Sequence, residues 1–382
     1  MRDWTINLDL ICSCCNSKDL DFHSLNESFV SSDSSKSFFA TVDFYQCRQC
    51  LHISKLTNSV LDDQINLIYE DYNINSQSIN FSEQKVLDSS GVFLSRSAHL
   101  INKLQEIQID IPKTSFILDF GCGGGVTLRQ LRDEGYKYLV GYDKYLNFKN
   151  VADLSEDATF YTKLSDVNIK ADVIFSIHTF EHLLSLSQVI STIKPLMKDT
   201  TVLLIQIPYV YSNSLDLLIL DHLHHFSKKS CASLAYMNGF ETLFIGNLLN
   251  SKELTILLKL SSAPTLYNYS DEHPSNLTDL IEEIIFRRHN LIDIKKSLDS
   301  SKQKAYIFGS SIAAAYCESY LKDSVYGFID EDTSRHGMLF RGKLIQPPNE
   351  LIELPIIFPF EQKIIEGICF RNGFSIDRVI RV

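Results

Sequence analysis

Three groups of residues in this chain have the types and the spacing to do chemistry. The first is Ile117-Leu118-Asp119-Phe120-Gly121-Cys122-Gly123-Gly124-Gly125, an apolar run ending in an acid and then in glycines at alternate positions. Glycine lets a backbone turn sharply and approach a ligand closely, as a strand-to-helix turn at a cofactor requires. The spacing Gly121-x-Gly123-x-Gly125 departs from the dinucleotide fingerprint, which needs a glycine where Val126 stands. A second acid, Asp143 in Gly141-Tyr142-Asp143, closes the next strand pattern, where a carboxylate can accept both hydroxyls of a ribose. Asp166, in Leu164-Ser165-Asp166, falls where a third loop would flank an adenine; a turn or helix-cap role is its plain alternative. Acids beside a glycine loop suit a ligand carrying an ammonium and a sulfonium rather than a pyrophosphate. S-adenosylmethionine (SAM) is such a ligand, and Asp119, Gly121, Gly123, Gly125, Asp143 and Asp166 are its candidate contacts.

The second group is metallic in character. Of nine cysteines, Cys12, Cys15, Cys47 and Cys50 form two C-x-x-C pairs near the N-terminus, and Cys14 lies between the first two. Two such turns bring four thiolates to one tetrahedral ion, and four thiolates leave no open position, so a structural Zn2+ site is expected. Cys14 is an alternative ligand to Cys12 or Cys15. The intervening stretch is polar and Ser-rich, with a strand-like alternation through Phe39, Thr41, Asp43 and Tyr45. It reads as too poor in apolar residues to fold without the ion.

The third group is histidines. His178, His182, His222, His224 and His225 fall in two loops that follow strand patterns, where ligands bind in open α/β sheets. Imidazole titrates near neutrality, which suits deprotonation of a hydroxyl or of a carbon next to a carbonyl. His222 is the candidate base, Asp221 the group that orients or assists it, and His178 or His182 a second polar contact. His182 in its Glu-His pair has loop fixation as its alternative role. His224 and His225, ahead of a helix that Ser227 can cap, read equally as packing residues.

These residues need a frame. Strand patterns at 116–119, 138–142, 173–177 and 202–207 alternate with helical ones at 127–134 and 186–197, which argues for a parallel sheet covered on both faces. A helix over 91–109 precedes them, and 240–245 with 255–260 would close the sheet as an antiparallel hairpin. The expected division is a zinc-binding module at 1–62, a SAM domain at 63–262, a linker with a helix at 263–302 and a Rossmann-like α/β domain at 303–382. The linker helix, over 276–298 and capped by Ser275, carries an apolar stripe from Leu280 to Ile292 for a neighbouring domain. In the last domain, Gly309-Ser310-Ser311 lacks the dinucleotide glycines, so nucleotide binding and a scaffold role stand level. Lys and Arg total 36 against 47 Asp and Glu, a net charge of -11 with no basic stripe, which argues against a nucleic-acid partner. Apolar runs too short for a bilayer and an N-terminus without a leader pattern give a cytoplasmic expectation with no membrane partner.

Residues 115–245 resemble class I SAM-dependent methyltransferases. Beyond the glycine loop, the likeness rests on Thr179-Phe180-Glu181-His182-Leu183, Gln206-Ile207-Pro208, His224-His225-Phe226-Ser227 and Asn238-Gly239-Phe240. The whole chain is similar to the three-part C-methyltransferases of nucleotide-linked sugars, which join a zinc module, a SAM domain and a C-terminal Rossmann-like domain. Ile68-Tyr69-Glu70-Asp71-Tyr72 resembles their tyrosine-bearing segment. One departure stands out: where that family reads Tyr-His-Glu-His, this chain has Ile219-Leu220-Asp221-His222. The resemblance implies methyl transfer to a small polar acceptor, a nucleotide-linked or glycan sugar. Transfer to oxygen or nitrogen of another metabolite is the second enzyme reading, and a SAM-binding scaffold the non-enzymatic one.

Overall fold

The computed structural model describes residues 10–70, 85–87, 93–107, 109–268, 276–349 and 353–382. Near the N-terminus β1 (Leu20–Val30) and β2 (Ser37–Cys47) pair antiparallel along their whole length, Leu20 opposite Cys47 and Val30 opposite Ser37. β3 (Ile53–Lys55) adds to β2, and helix α1 (Ser59–Glu70) follows. The short pair β4 (Lys85–Leu87) and β5 (Phe93–Ser95) leads to α2 (Arg96–Glu106). The helix expected over 91–109 is therefore shorter: β5 occupies its start, and Gly91 lies outside the described residues.

The central sheet alternates strand and helix: β6 (Phe116–Phe120), α3 (Val126–Asp133), β7 (Tyr138–Tyr142), β8 (Ala158–Tyr161), β9 (Ala171–Ile177), α4 (Leu186–Ile193) and β10 (Met197–Pro208). α4 stops four residues short of expectation because Pro195, which has no N–H to donate, lies in the 3-10 turn that follows it. A two-residue strand β11 (His224–His225), α5 (Lys228–Met237), β12 (Phe240–Gly246) and β13 (Glu253–Leu260) complete the region. Ser227 caps α5 through a reciprocal pair with Ser230, satisfying donors that a helix start leaves orphaned. The strand order is β12-β13-β10-β9-β6-β7-β8, with β6 to β10 parallel and β13 antiparallel to both β10 and β12. This is an open, Rossmann-like sheet with an antiparallel hairpin at one edge. Its middle strands are apolar on both sides because helices cover both faces.

After it comes α6 (Leu277–Ser301), capped by Asn276 in a reciprocal pair with Asp279; Ser275, the expected cap, lies outside the described residues. The C-terminal unit holds β14 (Ala305–Phe308), α7 (Ile312–Leu321), β15 (Val325–Ile329), β16 (Leu339–Phe340), β17 (Lys343–Gln346), β18 (Ile356–Phe358), α8 (Gln362–Asn372) and β19 (Val379–Arg381). Its order, β16-β17-β15-β14-β18-β19, is parallel except for β16. Asp330, at the position a ribose-binding acid takes, accepts instead from the backbone N–H (2.9 Å) and hydroxyl (2.5 Å) of Ser310. Its carboxylate is thus engaged by the loop itself.

Two connections tie the parts together. Leu280, Ile284 and Leu291 of α6 pack in one core with Phe29 and Phe44 of the N-terminal hairpin and with Ala314 and Phe328 of the C-terminal unit. The N-terminal segment therefore does own a share of apolar core, contrary to the expectation that an ion alone would hold it. Ile292, counted in the stripe, faces solvent. The second connection is β11, which pairs with β3, His224 opposite Ser54 and His225 opposite Ile53. The four-stranded N-terminal sheet is finished by residues that follow β10 in the chain. Among the described residues no helix is long and apolar enough to cross a membrane.

Candidate active site and cysteine cluster

At the end of β6 the chain turns through Gly121, Gly123 and Gly125, whose φ angles of 83°, 48° and 74° lie in the left-handed region. The N–H groups of Gly121 and Cys122 donate to the Tyr142 carbonyl at 2.7 and 3.0 Å, which pins the loop to β7. Asp143 follows β7, and its carboxylate accepts from Gly123 N–H (3.0 Å) and Tyr145 N–H (2.8 Å). Asp119 is buried at the end of β6. The first two acids and the glycines therefore meet at one end of the sheet. Asp166 sits on an exposed turn beyond β8, where Ser165 donates to it at 3.0 Å. Glycine is obligatory at 121 for a second reason: a Cβ there would overlap the Thr179 hydroxyl. Gly121→Ala is expected to weaken S-adenosylhomocysteine binding by about 100-fold, the equivalent of about 2.7 kcal/mol, in a calorimetric titration. Wild-type affinity in that variant would detach this loop from the cofactor.

The histidines gather beside this loop, organised by acids that sequence reasoning missed. His222 Nδ1 donates to Asp216 Oδ1 at 2.7 Å and His225 Nδ1 to Asp216 Oδ2 at 2.6 Å, all three side chains buried. Asp216, not Asp221, is thus the partner of His222. Burial pushes the Asp216 carboxyl up, but the two imidazoles outweigh it and hold it well below the usual carboxylate range. Burial in turn pushes His225 down to about 4, leaving a neutral ring on an ionised acid. Asp221 takes the N–H and hydroxyl of Ser32, at 2.9 and 2.6 Å, from the turn between β1 and β2. Its backbone carbonyl accepts from His182 Nδ1 at 3.0 Å, and its carboxylate lies 3.4 Å from that nitrogen.

His178 has a left-handed φ of 50°, held by a 2.8 Å bond from its N–H to the Gln206 carbonyl. Such strain in a non-glycine residue concentrates at functional sites. Its ring lies between two acids, Nδ1 3.0 Å from Glu181 and Nε2 3.5 Å from Glu253. Burial raises the Glu181 carboxyl, but the hydrogen bond from His178 and the fields of three histidines bring it below its ordinary value. His182 and His222 meet edge to face, ring centroids 4.6 Å apart. Tyr69, from α1, stacks on Tyr145 at 4.7 Å and brings its hydroxyl to 3.3 Å from His182 Nδ1. Asp71 and Tyr72 of that tyrosine-bearing segment lie outside the described residues.

The loop carrying His222 is held by the N-terminal segment as well as by its own sheet. Lys55 Nζ donates to the Ile219 and Leu220 carbonyls, Lys55 N–H to Leu223 O (2.9 Å), and Leu220 N–H to Val30 O (2.8 Å). Burial lowers Lys55 to about 7. His224 is spent on packing and on a 3.1 Å contact with His52.

Cys12, Cys15, Cys47 and Cys50 bring their sulfur atoms within 4.8 Å of one another. Both turns have the same build. Cys12 N–H bonds Ser17 O (2.8 Å) and Asn16 N–H bonds Cys12 O (2.9 Å); Cys47 N–H bonds His52 O (2.8 Å) and Leu51 N–H bonds Cys47 O (2.9 Å). Asn16 and Leu51 both adopt left-handed φ, 60° and 62°. Four convergent thiols on two matching turns fit a tetrahedral Zn2+. Cys14 is buried beside them, outside this set.

Residues 95–243 match the family model described as a methyltransferase domain. No curated protein matches the chain. Among solved structures, the chain is similar to a putative methyltransferase in complex with the Trm112 methyltransferase activator of Haloferax volcanii, at 15% identity over 44% of this chain and 91% of that one, TM-score 0.37. It is also similar to the magnesium protoporphyrin IX methyltransferase of Synechocystis PCC 6803 with bound SAH, at 17% identity over 43% and 82%, TM-score 0.35. A putative SAM-dependent methyltransferase from Listeria monocytogenes shows 13% identity over 43% and 100%, TM-score 0.34. Likenesses this distant add nothing to the strand order and glycine loop described above. The family match and that architecture make residues 95–243 a SAM-dependent methyltransferase domain.

Proposed function

We propose that the enzyme transfers the methyl group of SAM to carbon of a small polar acceptor, a nucleotide-linked or glycan sugar. The observation that carries this reading is the position of His222: it stands on a buried acid, in a loop sewn to the N-terminal sheet, and its ring meets that of His182, three residues past the Thr179 that fills the space at Gly121. The order of the parts, with the cysteine cluster first and an α/β unit last, agrees with the three-part sugar methyltransferases that the sequence resembles. Residues 1–62 and 303–382 then frame an acceptor around the SAM domain at 63–262, and Zn2+ on Cys12, Cys15, Cys47 and Cys50 keeps the frame in shape.

When bound, SAM supplies an electrophilic methyl on a sulfonium. Asp119 and Asp143 hold its charged and ribose ends, and Asp166 its adenine. Because the Nδ1–H of His222 donates to Asp216, the lone pair of Nε2 is left to act on the acceptor. His222 Nε2 would remove a proton from carbon beside a carbonyl, and SAM held at the glycine turn would supply the methyl group to the electron pair left there and depart as S-adenosylhomocysteine. His178 and His182 supply further polar contacts. Transfer to an acceptor oxygen is the second reading, favoured by the engagement of Asp221 with Ser32 rather than with His222.

Calorimetry tests the reading. S-adenosylhomocysteine should bind, Asp143→Ala should lose that binding, and deoxythymidine diphosphate should then bind to the cofactor-loaded protein. Failure of the first ligand on folded, zinc-loaded protein overturns the whole reading; failure of the second removes the nucleotide-linked acceptor. His222→Ala should lower turnover by about 100-fold or more with SAM affinity nearly unchanged, and unaltered turnover would take His222 out of the mechanism.

A further inference from the structure

We infer that Glu181, His182 and His222 hold a divalent cation beside the glycine loop, in a site distinct from the four cysteines. Each residue offers one ligand atom, and the three atoms lie within 4.8 Å of one another. Glu181 is two residues past Thr179, whose hydroxyl fills the space at Gly121, so the cluster adjoins the cofactor turn.

The donor set has the chemistry of a working metal site. Two imidazoles and one carboxylate leave coordination positions open, unlike four thiolates. The residues behind the ligands are those such a site requires. Asp216 accepts from His222 Nδ1, and the Asp221 carbonyl accepts from His182 Nδ1, which leaves each Nε2 with its lone pair as the ligand atom. His178 Nδ1 occupies Oε1 of Glu181 at 3.0 Å.

The independent sign of a missing ligand is the other oxygen. Glu181 is fully buried, and its Oε2 has no hydrogen-bond partner. Burying a carboxylate oxygen without a donor is costly, and native proteins rarely leave one so. A cation between Glu181 and the two histidines supplies what that oxygen lacks.

The consequence for catalysis rests on the methyltransferase reading; the binding itself does not. An acceptor oxygen in an open position would be polarised and its proton loosened by the cation. With its Nε2 on the cation, His222 would act as a ligand in place of the direct base role given above, and the proton would pass to a hydroxide held in a second open position. The acceptor class narrows to molecules with a hydroxyl or a carbonyl oxygen near the methylated atom.

The test uses full-length protein with zinc in the cysteine cluster, dialysed free of weakly held ions and titrated with Mn2+ while the EPR signal of the free ion is followed. Wild-type protein should bind one Mn2+ per chain. Glu181→Gln and His222→Ala should each weaken that binding by at least about 10-fold, and Asp216→Asn by about 10- to 100-fold. Zinc content of one per chain and an unchanged melting temperature show that a variant is folded. No binding to wild-type protein, or equal binding to Glu181→Gln and His222→Ala, overturns the inference. S-adenosylhomocysteine titrated into the same samples separates the two failures. If it binds while Mn2+ does not, only the cation site falls; if neither binds, the methyltransferase reading falls with it.

Discussion

Stripping the metal from the cysteine cluster, or replacing Cys50 by serine, is expected to abolish methyl transfer while S-adenosylhomocysteine affinity stays within a few-fold of wild type. The two functions separate because they rest on different packing. On one face the glycine turn and Asp143 are held by β6 and β7 over a core of Ile117, Leu128, Leu139 and Phe175 that includes no described residue of the N-terminal segment, and only on the other face do Leu118, Phe120 and Val140 share a core with Cys12, Cys47 and Cys50. The histidine loop is held from the other side. β3 begins three residues after Cys50 and pairs with His224–His225, Lys55 fastens the Ile219 and Leu220 carbonyls, and the Ser227 hydroxyl donates to the Cys50 carbonyl at 2.9 Å. Loss of the ion frees both cysteine turns and, through them, the register of β3. A displacement of about 1 Å at a reacting group costs on the order of 100-fold in rate. Hairpin β1–β2 stays seated on α6 through Phe29 and Phe44, so the chain loosens locally and does not unfold. Loss of a structural metal is among the few changes that exceed about 4 kcal/mol, here a fall in melting temperature of about 10 °C. Scanning calorimetry with and without chelator, run beside turnover and ligand titration, decides. A chelated protein with unaltered turnover would show that the cluster does not shape the site.

What the sequence revealed and what it hid follow from the range of the forces involved. The parallel sheet, the glycine loop and the acid after β7 were legible because each is a local pattern: an apolar strand, a turn that only glycine can make, an acid at a strand end. The matched cysteine turns were legible for the same reason. The partner of His222 was not. Asp216 sits among Leu215, Leu217 and Leu218, which mark the segment as core, and nothing local marks a carboxylate there as the buried anchor of two imidazoles. Asp221, adjacent in sequence to His222, looked the better partner, but its carboxylate is turned to Ser32 in the hairpin turn. β11 left no signal either. Two histidines become a strand only because Ile53 and Ser54 present an open edge to them, and such a pairing is set by tertiary packing rather than by propensity. Glu181 and Glu253, on opposite sides of His178, likewise meet only in space. Where a residue's role depends on a neighbour far along the chain, periodicity places the residue and leaves the role unwritten.

Asp216→Asn should then be the most damaging conservative substitution in the enzyme. The carboxylate accepts two N–H bonds, one from each histidine, and an amide offers a single acceptor oxygen with an NH2 in place of the other. One of the two imidazoles must shift its proton to Nε2 or lose its bond. For His222 that shift fills the lone pair that we propose acts on the acceptor, directly or through a cation. Turnover is expected to fall by between about 100- and 10,000-fold, the range ascribed to a positioned general base, with S-adenosylhomocysteine affinity little changed. Asp216→Ala removes both acceptors, and the loss of one partner from a buried charged network costs about 3–5 kcal/mol. Asp221→Asn supplies the contrast. Its two bonds from Ser32 survive the change, because the amide oxygen keeps the Ser32 N–H while the amide NH2 donates to the Ser32 hydroxyl, which can accept as well as donate, and the His182 bond at 3.0 Å goes to the backbone carbonyl, so a loss of about 10-fold or less in turnover is expected. The order of the two variants is the deciding quantity. Asp216→Asn at or near wild-type turnover, with Asp221→Asn inactive, would restore the pairing that adjacency in the sequence suggests and would remove Asp216 from the site.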